Sequence, residues 1–197
     1  MSKDDLLKAV ASEIVVCRKC GLSENRRNAV PGEGNPRTQV MFIGEAPGYW
    51  EDVKGRPFIG AAGKLLDTLL SVASLSRETV FICNVLKCRP PRNREPRKDE
   101  IEACTPHLDK QIQIIQPEIV VPLGNYSTAY ILEKTGVPFF GITVSHGEFH
   151  DVSYKNMQTA IFPTFHPAAA LYSGKYRDLI SQDFERLGIW ISRRRQT

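Results

Sequence analysis

Four of the five cysteines are the residues best equipped for chemistry. Cys17 and Cys20 form a C-x-x-C pair, and Cys88 and Cys104 follow with 15 residues between them. Four thiolates suit either zinc or an iron–sulfur cluster. Structural zinc usually arrives as two C-x-x-C knuckles, and the second knuckle is missing here. The spacing therefore leaves a cluster, zinc and no metal all open, with a cluster first. Cys83, inside the apolar run VFICNV, reads as a buried small side chain of the core.

A second set of residues lies in short motifs at the ends of apolar runs. Glu45 sits in GEAPG, a turn in which Gly44 and Gly48 let backbone approach a ligand closely. Phe58, in GRPFIG, is an aromatic in a glycine-flanked loop, a place where such rings serve as stacking platforms as well as core. Asn84 ends the run VFICN, and its amide offers a donor and an acceptor, enough to read one edge of a base. His166-Pro167 follows the run AIFPTF and is a site candidate by its position alone.

The elements that must position these groups follow from apolar periodicity. Leu6, Leu7, Val10 and Ile14 recur at helical spacing and predict a helix over 3–16. Val40–Gly44 is a continuous apolar run, the pattern of a strand covered on both faces. The alternation continues with a helix over 61–73, a strand over 80–85 and a Pro/Arg-rich loop. A helix over 99–115, a strand over 119–123 and a helix over 127–135 follow. An irregular hairpin is expected over 139–157, a strand over 160–165 and a helix over 176–191. Strands separated by helices imply right-handed crossovers and a parallel sheet with both faces covered, in one domain spanning 1–197. In such a sheet ligands bind outside the carboxyl ends of the strands, where Gly44–Gly48, Asn84 and His166 would meet.

Composition sets the outer bounds. With 42% hydrophobic and 24% charged residues the chain reads as a globular protein. No apolar run approaches the ~18–20 residues of a membrane helix. The opening MSKDDLLKAVASEIVV lacks the features of a signal peptide, so a cytoplasmic location and a metal-binding or redox use of cysteine are expected. A net charge of +4 is mild, but Arg89, Arg92, Arg94, Arg97 and Lys98 crowd one segment, and Arg193, Arg194 and Arg195 another. Clustered guanidinium groups suit a polyanion, because they displace condensed counterions from phosphate; a solvated loop and tail is the plainer alternative.

Taken in order, CRKC, GEAPGYWEDVKGRPFIGAAGKLLD, ICNVLKCRPPRNREP, EAC and HPAAAL resemble the iron–sulfur-containing, thermostable family 4 uracil-DNA glycosylases, over nearly the whole chain. The resemblance implies a three-layer α/β/α sandwich around a central four-stranded parallel sheet. It implies that Cys17, Cys20, Cys88 and Cys104 hold one 4Fe–4S cluster, and that Gly44, Glu45, Ala46, Phe58, Asn84 and His166 form a uracil pocket. It further implies excision of uracil from DNA by base flipping, with Glu45 and His166 catalytic. Glu51 would occupy the space of a thymine methyl group, and Leu171 and Tyr172 would wedge into the vacated stack. Arg89, Arg92, Arg94 and Lys98 would grip phosphates.

Two departures within the superfamily matter. Ala46 stands where a better-known branch has an aspartate, which leaves Glu45 and Asp52 as the nearby carboxylates; Asp52 could equally brace the loop. A cross-linking branch uses a histidine in the basic loop, and none lies between Asn84 and Cys104, so turnover is expected. The competing readings are a non-catalytic DNA-damage binder with the same fold and cluster and a zinc-stabilised α/β hydrolase of free nucleosides or nucleotides. The expected partner is uracil-containing DNA, single- or double-stranded, bound by a monomer; no motif for a sliding clamp is legible.

Overall fold

The structure is a computed structural model and describes residues 1–194; Arg195 of the second basic run lies outside the described residues. The elements in chain order begin with α1 (Lys3–Val16), α2 (Leu22–Asn25), β1 (Glu33–Gly34), β2 (Val40–Gly44), α3 (Tyr49–Lys54), α4 (Ala61–Val72) and β3 (Phe81–Asn84). A short 3₁₀ turn (Pro91–Asn93) precedes α5 (Lys98–Ile115), β4 (Ile119–Pro122), α6 (Asn125–Thr135) and α7 (Ile142–Ser145). The described chain closes with β5 (His150–Tyr154), β6 (Met157–Ile161), α8 (Pro167–Ala170) and α9 (Gly174–Arg194).

The strands form one six-stranded sheet in the order β1-β3-β2-β4-β6-β5. The four central strands β3, β2, β4 and β6 run parallel, as expected. Two antiparallel edges flank them, β1 on β3 and β5 on β6, and these extend the four strands read from sequence. β1 is two residues long, too short to show any periodicity. The hairpin lies later than the expected 139–157: α7 takes the early part of that stretch, and β5 and β6 form the hairpin over 150–161. It turns at Lys155-Asn156 with φ of 48° and 65°, the left-handed pair that suits a tight hairpin. The last parallel strand accordingly starts earlier and ends at Ile161, not Phe165. Pro163 has no N–H for the ladder, although Thr164 still bridges to Leu123.

Alternation along β2 builds the two cores. Val40 and Phe42 face a layer made by α4 and α9, including Leu66, Leu69, Leu70, Phe184 and Leu187. Met41 and Ile43 face a layer from α5 and α6, including Leu108, Ile112 and Ile131. All five residues of β2 are buried, which explains why it reads as a continuous apolar run. A third, smaller cluster joins Val10 and Ile14 of α1 to Leu86, Cys88 and Cys104. The α/β/α sandwich is thus formed, and the carboxyl ends of β2, β3, β4 and β6 open on one side.

Candidate functional site

The parallel register places Gly44 beside Asn84 at the ends of β2 and β3. The crossing chain is pinned there, with Val85 N–H donating to Gly44 O at 2.9 Å and Leu86 N–H to Glu45 O at 2.9 Å. Above this floor opens a cleft of about 560 Å³, within the size range of small-ligand sites. Its wall includes Glu45, Ala46, Glu51, Phe58, Asn84 and His166, brought from five segments of the chain. Arg94 and Tyr172 also reach it.

Phe58 is held in place from three sides. Its φ of 51° is unusual for a bulky residue. Arg77 donates to the carbonyl of Phe58 and, at 3.1 Å, to that of Pro57, while Arg77 itself is fixed by Asp67 at 2.6 Å and Glu33 at 3.1 Å. Glu51 Oε1 accepts the Ile59 and Gly60 amides, both at 2.9 Å, at the start of α4. A Cβ at Gly63 would lie 1.7 Å from Phe58 O, so only glycine lets the loop settle there. The Phe58 ring meets the His166 ring with centroids 5.5 Å apart and planes at 29°.

Gly44 makes the floor possible. A Cβ there would stand 2.4 Å from Asn84 Oδ1 and 2.5 Å from Phe58 Cζ, so both side chains occupy the space that a larger residue would take. Asn84 is 2% exposed, and its Oδ1 has no protein hydrogen-bond partner. Such a buried acceptor costs about 1–3 kcal/mol unless something donates to it.

His166 caps α8, and its Nδ1 accepts the Ala168 N–H at 3.1 Å. That bond places the ring proton on Nε2. Desolvation pushes the imidazole pKa down to about 4, against the opposing pull of Glu51. The ring is therefore neutral near pH 7 and offers a hydrogen bond rather than a proton. Burial, and then the charge of Glu95, raise the Glu45 carboxyl above its ordinary value. Tyr126 lies in the same neighbourhood, its hydroxyl pushed up to about 12 by burial and by a bond to Glu95.

The remaining sequence candidates divide. Asp52 is buried, and its Oδ1 accepts the Arg27 amide at 2.9 Å; it braces the loop and does not line the cleft. Arg94 forks onto the buried Glu100 at the start of α5, one arm at 2.9 Å. Arg89 lies over the Tyr49 ring at 5.1 Å. Arg92 is exposed in the 3₁₀ turn, and Lys98 is exposed with Glu102 at 3.9 Å. None of Arg89, Arg92, Lys98 and Leu171 forms part of the cleft wall. Tyr172 is 91% exposed at its mouth. Sequence reasoning missed Tyr49 and Trp50, half-exposed on the cleft wall; the aromatic pair directly after GEAPG was the available signal.

Cys17, Cys20, Cys88 and Cys104 line one small cavity between α1, α5 and the segment after β3. Among the described residues no three His, Cys, Asp or Glu groups are drawn close enough to grip a single metal ion; the cavity is what the four thiols share. Arg26 donates to Cys88 Sγ at 3.0 Å and the Lys87 amide to Cys104 Sγ at 3.2 Å. Burial raises the Cys88 thiol and pushes Cys104 up to about 11, against the nearby Arg26 and Lys87 charges. Cys83 is fully buried in the core away from this cavity, as the sequence indicated.

Known proteins resemble this chain in sequence. Residues 31–187 match the Uracil DNA glycosylase superfamily. The chain is 50% identical to the type-4 uracil-DNA glycosylase of Sulfurisphaera tokodaii, over 93% of this chain and 84% of that one. It is 47% identical to the type-4 enzyme of Saccharolobus solfataricus, over 93% and 85%. With the type-4 enzyme of Archaeoglobus fulgidus it shares 41%, over 95% and 92%. With a cleft at the strand ends floored by glycine, amide and aromatic, and with this extent of identity, the chain belongs to the uracil-DNA glycosylase superfamily and, within it, to the type-4 group.

Proposed function

We propose that this protein removes uracil from DNA by hydrolysing the N-glycosidic bond of a flipped-out deoxyuridine. The observation that carries the reading is the buried Asn84 Oδ1, without a protein donor, on a floor shared with Phe58. Uracil supplies the missing donor through its ring N–H, and the Asn84 amide N–H₂ faces O4 in return. Cytosine has the opposite donor/acceptor pattern and would leave both groups mismatched, a penalty of about 1–3 kcal/mol or more. Phe58 stacks on the base, since extrusion costs a few kcal/mol that must be recovered in the pocket. Glu51, locked by two backbone amides, is the fixed wall that a thymine methyl would meet.

As the bond from C1′ to N1 breaks, its electron pair leaves with the base and the sugar becomes cationic. His166, neutral and carrying its proton on Nε2, donates to the developing charge on O2. Glu45, as the carboxylate, offsets the sugar cation and orients the water that adds to C1′, and the proton this water sheds ends on the departing uracil anion. Ala46 carries no acid, Asp52 is engaged with backbone, and Glu51 is tied to the Ile59 and Gly60 amides, so Glu45 is the carboxylate left available on the cleft wall. Leu171 and exposed Tyr172 would fill the vacated stack, while Arg89, Arg92, Arg94 and Lys98 supply positive charge for phosphates.

The four cysteines that share a cavity fit an iron–sulfur cluster by their chemistry. Two buried groups support a charged occupant: Lys87, and His107, whose ring nitrogens have no protein hydrogen-bond partner and which lines the same cavity. When bound, the cluster supplies a rigid tie between α1, α5 and the basic loop. The test is alkali cleavage of a labelled uracil-containing strand after incubation with wild-type and His166→Ala protein, with iron measured on both. Strand scission by wild type, greatly reduced in the variant, is expected; no scission by iron-loaded wild type would refute the proposal.

A further inference from the structure

Lys87 is 1% exposed, an extreme position for an ammonium group. Its Nζ donates to the backbone carbonyl of Asn84 and to Gln111 Oε1, both at 2.7 Å. No carboxylate of the described residues pairs with it. Burial of an unpaired charge costs several kcal/mol, and two neutral acceptors offset only part of that. On its other side Lys87 lines the cysteine cavity, and its own amide donates to Cys104 Sγ at 3.2 Å. One residue thus touches both the proposed ligand set and the peptide that carries the base-reading amide.

We infer that Lys87 is a positioning residue that couples the cysteine site to uracil recognition, its buried ammonium balanced by a net negative cluster and its Nζ holding the Asn84 peptide in register. The inference rests on the cluster reading above. Four thiolates around an iron–sulfur core carry the negative charge that the protein side of Lys87 lacks. Loss of that charge would leave the ammonium uncompensated and pull it toward solvent, releasing the Asn84 carbonyl. Recognition of the base would then suffer first through Asn84, while His166, held through Ala168 in another segment, keeps its place.

The test uses the full chain purified anaerobically as wild type, Lys87→Met and Gln111→Glu. Removal of a buried positive charge beside the cluster moves its midpoint potential to more negative values in Lys87→Met. The same variant should bind free uracil about tenfold more weakly, with KM for uracil-containing DNA raised more than kcat is lowered. Gln111→Glu places a carboxylate against the ammonium, so it should also shift the potential negatively while keeping uracil affinity near wild type, because the bond to Asn84 is retained. If Lys87→Met does not fold, an unmoved potential in Gln111→Glu overturns the inference. Iron-loaded Lys87→Met with wild-type potential and wild-type uracil affinity overturns the coupling alone. Wild-type protein devoid of iron overturns the cluster reading, and the coupling with it.

Discussion

Gly44→Ala is a small change with a large steric consequence. The new methyl would lie 2.4 Å from Asn84 Oδ1, 2.5 Å from Phe58 Cζ and 2.8 Å from Phe58 Cε2, each well inside van der Waals contact. Neither neighbour can yield cheaply. Asn84 and Phe58 are 2% and 5% exposed, and the Phe58 loop is held by Arg77 and by Glu51. Relief requires movement of roughly an ångström in a packed site, at about 1–3 kcal/mol of overpacking. In a chain of this size that lowers Tm by about 2–4 °C per kcal/mol. Because both displaced groups would contact the base in the proposed pocket, kcat/KM on uracil-containing DNA should fall about a hundredfold, the scale of an ångström misplacement. Single-turnover excision and thermal unfolding measure the two effects separately. An alanine variant with wild-type kcat/KM would refute the argument that Gly44 sets the contact between the amide and the aromatic floor.

Four further outcomes are expected. The pH profile of kcat/KM should show no step near 6.5, since His166 is depressed to about 4; its acid limb should lie above the ordinary carboxylate value of 4.5 because of Glu45, and Glu95→Gln should move that limb to lower pH. In urea titrations, the wild type should lose up to about 3 kcal/mol as pH falls from 6.5 to 4, because the unfolded chain binds a proton that the folded His166 refuses; this contribution is intact above 6.5, and a His166→Gln variant without that part of the slope would verify its source. Glu51→Ala should cost about 1–3 kcal/mol by stripping the acceptor from the Ile59 and Gly60 amides, and should raise KM for uracil-containing DNA; an unchanged KM would remove Glu51 from the account of the pocket. Arg92→Ala should reduce the salt slope of DNA binding by about 1, with selectivity for uracil unchanged; an identical slope would place the basic turn off the phosphate path.

Much of the architecture was legible because it depends on local pattern. A continuous apolar run at Val40–Gly44 must be a doubly covered strand, and Leu66, Leu69 and Leu70 must turn one side of a helix to it. The positions of Gly44 and Asn84 at strand ends then followed from the direction of a parallel sheet, with His166 two residues beyond the Thr164 bridge that continues the line of β6. The edge strands did not, since β1 pairs through two residues in a loop-like segment and β5 draws its place from β6. Nor could the sequence say that Arg94 is engaged with Glu100 or that Glu95 bears on Glu45, and it left open whether Asp52 braces the loop, as it does.

What residue order alone determined is the set of elements and the chemical groups at their ends, because burial on one face or both leaves a short-range periodic trace. What tertiary structure decided is which groups share a dielectric environment. Asn84 becomes an orphaned acceptor only when β2 lies beside β3. His166 becomes a neutral donor only when Ala168 occupies its Nδ1 and its surroundings exclude water. Lys87 becomes a buried charge only when α5 closes over it. Desolvation and hydrogen-bond geometry are sums over neighbours distant in the chain, and no local pattern encodes them.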